Sequence, residues 1–189
     1  PDIPPTPKRA LVFSNYAEPG GYVESVSNAC NAMGIELDVI GRFYGNSVDD
    51  PGKILGNYDL VFAVGRSALE AMACGAAVIV CGIHGFGPMV QTGEVEMLRA
   101  WNYGMKCLRF PMKTDRIVEQ IRRYDPKDAR QVSNYIKRGA AFSNALEQYL
   151  WLYESVLGEH EARGVGYGDE IGDYLKTTVQ CLGEYETKV

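Results

Sequence analysis

Two unbroken apolar runs, Leu60 to Val64 and Ala76 to Cys81, stand on either side of a segment of helix length. Runs without polar alternation suit strands buried on both faces, as in a parallel sheet covered by helices. A parallel crossover needs an intervening helix, whereas antiparallel pairing needs only a tight turn. The unit therefore reads strand, helix, strand. Ser67 and Glu70 stand in capping-box spacing at the start of that helix, and Gly75 stands where a left-handed C-terminal cap is wanted. Ala68, Ala71 and Ala73 are small enough to let the helix lie close to the sheet.

The same logic extends along the chain. Ala10 to Phe13 is a first buried strand, Ser14 to Gly21 is the loop at its carboxyl end, and a helix runs to about Met33 with Val23, Val26, Ala29, Cys30 and Met33 on one face. Gly34 ends it, Ile35 to Ile40 form a second strand, and Gly41 to Gly56 hold turns and a short helix. Residues 83–112 read as a long irregular connection, with a helical stretch from Glu94 to Trp101 and a short strand from Lys106 to Arg109. Ile117, Val118 and Ile121 mark the next helix, and Asp125, Pro126 and Asp128 open another. Phe142, Ala145, Leu146, Tyr149, Tyr153, Val156 and Leu157 form a long stripe expected to pack on a core. Beyond Gly158 glycine becomes frequent, and Tyr174, Leu175, Val179 and Leu182 allow one last helix.

Composition narrows the class. With 189 residues, 46% hydrophobic and 23% charged, the chain has the ordinary balance of a soluble globular domain. A net charge of −5 and the lack of a basic run argue against a nucleic-acid partner. No run approaches membrane-spanning length, and no secretory signal pattern opens the sequence. The five cysteines lie mostly in apolar stretches, which fits a reducing, cytoplasmic setting, and no metal-ligand spacing occurs. The opening Pro1 to Arg9 carries four prolines and reads as a semi-stiff linker. The expected organisation is a linker over 1–9, a Rossmann-like domain over 10–158 and a tail over 159–189.

The helix following Val64 starts at the carboxyl end of a parallel strand, where open α/β sheets bind ligands and where free amides favour a phosphate. The string Gly65-Arg66-Ser67-Ala68-Leu69-Glu70-Ala71-Met72-Ala73-Cys74-Gly75-Ala76 resembles the donor-binding signature of the retaining glycosyltransferases of the GT-B fold. Gly82 to Val90 is similar to that family's glycine-rich loop, and the likeness extends over roughly residues 57–155. The resemblance implies the second, donor-binding half of a two-domain enzyme, with an acceptor-binding N-terminal domain outside this chain. It implies a nucleotide sugar as substrate, no cofactor and no obligatory metal.

The donor-binding residues so implied are Ser14, Asn15, Gly20 and Gly21 after the first strand, Gly65, Arg66, Ser67 and Glu70 after the third, and His84, Gly85, Phe86 and Gly87 after the fourth. Glu70 matches the glutamate that the family sets beside the donor ribose; its blander role is the cap with Ser67. Arg66 suits a diphosphate with its planar fork, or is a surface arginine at a loop end. His84 donates to a phosphate or is merely structural. The chain also departs from the family pattern. Phe62 occupies the place of an earlier glutamate, the Ser14 to Gly21 loop has Glu18 where the family carries a basic pair, and Met89 stands where a further glutamate is usual. Two other readings follow, a catalytically degenerate binding or scaffolding module and an epimerase-like enzyme acting on sugar nucleotides.

Overall fold

The computed structural model describes residues 4–140, 142–163, 171–174, 176 and 177. The chain divides into two compact units, Pro1–Ala141 and Phe142–Val189. The first is a five-stranded α/β sheet flanked by helices. Its strands are β1 (Arg9–Phe13), β2 (Glu36–Ile40), β3 (Leu60–Ala63), β4 (Ala77–Gly82) and β5 (Gly85–Met89), in the spatial order β2-β1-β3-β4-β5. The first four pair in parallel, and β5 returns antiparallel to β4.

The apolar runs form strands because both of their faces are needed. Ala10, Val12, Leu60, Phe62, Ala77, Ile79 and Cys81 face one layer, where α1 (Tyr22–Ala32) and α5 (Thr114–Ile121) supply Val26, Ala29, Ile117 and Ile121. The alternate residues Leu11, Val61, Ala63, Val78 and Val80 face α3 (Arg66–Ala73), α4 (Val95–Arg99) and α6 (Pro126–Gly139), along with Leu55 of the single-turn α2 (Gly52–Leu55). Every residue of β3 and β4 is buried, as a sheet covered on both sides requires. The edge strand β2 alternates between exposed and half-buried positions. Beyond it, the Asn46 side chain donates to the Val39 carbonyl and accepts from the Gly41 amide.

Helix ends follow local rules. After α1 and α3 the closing bonds are those of a Schellman motif: Gly34 N–H to Asn31 and Ile35 N–H to Cys30, then Gly75 N–H to Met72 and Ala76 N–H to Ala71. Asp125 caps α6 by accepting from the amides of Lys127 and Asp128, with Pro126 in the first turn. Arg123 pairs with Glu94 at 3.0 Å, and the Thr92 amide and hydroxyl donate to Asp128, which ties the 91–94 turn to α5 and α6.

Three expectations are corrected. Residues 83–89 are not irregular: Ile83 and His84 form a two-residue turn, and Gly85 to Met89 pair back on β4. The glycines there serve close packing rather than looseness, since any Cβ on Gly87 would collide with the Cys107 carbonyl. Residues 106–109 are not a strand; Met105–Cys107 make a 3₁₀ turn, and only Phe110 bridges to Phe86. The stripe expected to pack on a core lies on α7 (Phe142–Arg163) in the second unit, where Leu146, Tyr149, Tyr153, Val156 and Leu157 are exposed, as are Leu150, Trp151 and Leu152 between them. Apolar groups surround that helix rather than lining one face. The last helix expected through Tyr174, Leu175, Val179 and Leu182 falls largely outside the described residues. Among the described residues no helix is long and apolar enough to cross a membrane.

Candidate functional site

The carboxyl edge of the parallel strands gathers most of the residues singled out by sequence. Val12 pairs with Phe62, and Ala63 with Val80, so the chain leaves β1, β3 and β4 at neighbouring points of one rim. From β1 the connection leads outward to β2, whereas β3 lies on the other side. Strand order therefore reverses between β1 and β3, which is where open α/β sheets form a ligand crevice. The Ser14–Gly21 loop and the Gly65–Ser67 turn flank that point.

The β1 loop is tightly tied. The Ser14 amide donates to the Ile40 carbonyl, its carbonyl accepts from Ala17, and its Oγ accepts from the Tyr16 amide at 3.1 Å. Gly41 packs on the Ser14 backbone, leaving no room for a side chain. Asn15 and Gly20 are exposed, and Gly21 opens α1 without a side-chain cap. Tyr22, unremarked in the sequence, is the residue of most interest here. It is 8% exposed, and among the described residues its buried hydroxyl makes no hydrogen bond of ordinary geometry, the Ser14 side chain being the polar group beside it. Burial pushes its pKa up to about 12, with Ser14 offsetting part of the rise and Cys81 and Tyr44 adding to it. Its polar neighbours are thus Ser14 after β1, Cys81 of β4 and Tyr44 in the turn beyond β2. The only sequence signal for it is a tyrosine directly after Gly20-Gly21 at a helix start.

The β3 turn departs from expectation. Gly65, not Ser67, precedes the helix, with φ +64° and ψ −129°, a conformation reserved almost wholly for glycine. No side chain caps the helix, so Ser67 and Glu70 form no capping box. Ser67 is already inside the first turn, two positions too late to cap. Glu70 instead accepts from Arg66 Nε at 2.8 Å, the i,i+4 pairing that a helix starting at Arg66 dictates. Arg66 is 86% exposed and the Glu70 side chain 29%. The amides of Arg66, Ser67 and Ala68 lack intrahelical acceptors, as the start of any helix does. The Gly65 amide is taken by the Tyr103 carbonyl at 2.8 Å.

Above β3 and β4 the rim carries residues 102–108. Asn102 and Tyr103 hold positive φ angles of 49° and 51°, uncommon for side-chain-bearing residues, and Tyr103 is fully buried. His84 is exposed at the hairpin tip. Gly85, Phe86 and Gly87 are not part of a ligand loop: they belong to β5, and Phe86 is fully buried against Phe110 with ring centroids 5.4 Å apart. Within the implied donor set, the residues brought together at the switch point are thus Ser14, Asn15, Gly20, Gly21, Gly65, Arg66, Ser67 and Glu70. Comparison with known proteins finds no matching family model, no matching curated protein and no matching solved structure.

Proposed function

We propose that the first unit is the donor-binding half of a glycosyltransferase, holding a nucleotide-activated sugar for transfer to an acceptor carried elsewhere. One coincidence supports this reading: the string that resembles the family signature opens α3 at the carboxyl end of β3, beside the reversal of strand order. The amides of Arg66, Ser67 and Ala68 and the positive end of the helix then receive the diphosphate and stabilise it as a leaving group. Glu70 uses one carboxylate oxygen for Arg66 and offers the other to a ribose hydroxyl.

A second reading is a catalytically degenerate binding module. It is favoured by the β1 loop, which has no cation and carries Glu18, and by Arg66 being already engaged with Glu70. Calorimetric titration of the chain with a panel of nucleoside diphosphates separates the two. The donor reading expects saturable binding that Glu70→Ala weakens tenfold or more, about 1.4 kcal/mol. The melting temperature should hardly move, because Glu70 caps nothing. Absence of binding to every member of the panel would leave the degenerate module.

A further inference from the structure

A cleft of about 510 Å³ opens at the opposite, amino-terminal edge of the sheet. Its walls come from the start of β1, the turns that lead into β3 and β4, and one face of α6. The residues that give it chemistry are Arg9, Asp59, Cys74, Arg130, Ser133 and Lys137. On α6, positions 130, 133 and 137 follow helical spacing, so two cations flank a serine on a single face. Ser133 is 3% exposed, and among the described residues its hydroxyl has no hydrogen-bond partner. Asp59 spends Oδ2 on the amides of Lys8 and Arg9, at 2.8 and 3.0 Å. Arg9 also reaches Asp38 at 3.1 Å and lies over the Tyr58 ring. Lys137 stands close enough to Cys74 to oppose the upward push that burial gives its thiol.

We propose that this cleft binds a small organic phosphate, a phosphomonoester, at a site separate from the carboxyl rim. Its walls carry Arg9, Arg130 and Lys137 beside Asp59, with Asp38 offsetting part of the Arg9 charge. Guanidinium groups and an ammonium match phosphate oxygens, the guanidinium with its planar fork. The volume lies within the roughly 300–1,000 Å³ of small-molecule sites, so an organic body accompanies the charged group.

The test titrates the full chain at low ionic strength with inorganic phosphate, a hexose phosphate and the unphosphorylated hexose. The proposal expects saturable binding of the hexose phosphate, weaker binding of inorganic phosphate and none of the hexose. Lys137→Gln and Arg130→Gln should each weaken it about tenfold, the scale of one lost charge-assisted contact, whereas Glu70→Ala leaves it unchanged. In a Cys181→Ser background, Cys74 is the half-buried thiol beside the buried Cys30, Cys81 and Cys107, and bound hexose phosphate should slow its modification by a disulfide reagent. No saturable binding of either phosphate, equal affinity for inorganic phosphate and hexose phosphate, or full affinity in both charge variants would overturn the proposal. Loss of binding with Glu70→Ala alone would assign the phosphate to the carboxyl rim instead.

Discussion

At Tyr22 a phenol is buried with no hydrogen bond of ordinary geometry among the described residues, and two consequences can be measured. Its pKa in the folded chain is raised to about 12 from an ordinary 10.0. A raised acid favours the folded state only while it is protonated in both states, so that contribution is intact below pH 10 and drains as pH climbs through 12. Tyr103 follows the same course for the same reason, desolvation. Denaturant titrations from neutral to strongly alkaline pH should show stability falling above pH 10, with part of the phenolate absorbance appearing late. Tyr22→Phe removes a hydroxyl that satisfies nothing; it should leave stability level or raise it by up to about 1 kcal/mol, and soften the alkaline loss. A clear loss of stability would mean that the hydroxyl has found a partner. Glu70 shows how residue roles turn on two positions of register. Its spacing from Ser67 suggested a cap, but a helix that starts at Arg66 makes it the i+4 partner of an arginine.

Among elements, the helices and parallel strands were legible and the hairpin was not. Burial on both faces writes itself as continuous apolar sequence, so β1, β3 and β4 stand out, and Gly34 and Gly75 mark helix ends through the bonds they permit. Strand β5 reads Gly-Phe-Gly-Pro-Met, a composition that local preference assigns to a loop. Its order comes from contacts distant in sequence: the backbone at Cys107 and Phe110 presses on Gly87 and Gly85, and Phe86 fills the core. No local window carries that information. The α6 start, by contrast, is wholly local. Asp125→Ala should cost about 0.5–2 kcal/mol by loss of its two amide bonds, and Asp125→Asn or Asp125→Ser should restore most of it. Urea unfolding of the three variants checks this; an alanine variant as stable as the parent would show that Pro126 alone fixes the helix start.

For the molecule as a whole, the sheet and both of its core layers lie before Ala141. A chain ending at that residue is expected to fold unaided, with a cooperative thermal transition close to that of the full chain; a non-cooperative transition with the near-ultraviolet signal lost would refute it. The site was half visible in the sequence. Strand order reverses between β1 and β3 only after pairing is known, so the rim could be named but its meeting of loops could not. The opposite cleft was invisible, because Arg9, Asp59 and Lys137 belong to different segments that only the sheet assembles.

The margins of the sheet have a bearing on how the folded chain behaves in company. On one side Pro88 offers no N–H, and its neighbours Gly85 and Gly87 abut other backbone. On the other, Asn46 occupies the polar groups at Val39 and Gly41 that an incoming strand would seek. A second molecule therefore finds little template for extending the ribbon near the carboxyl end of its parallel strands, and self-association by strand addition there requires one margin to come undone first.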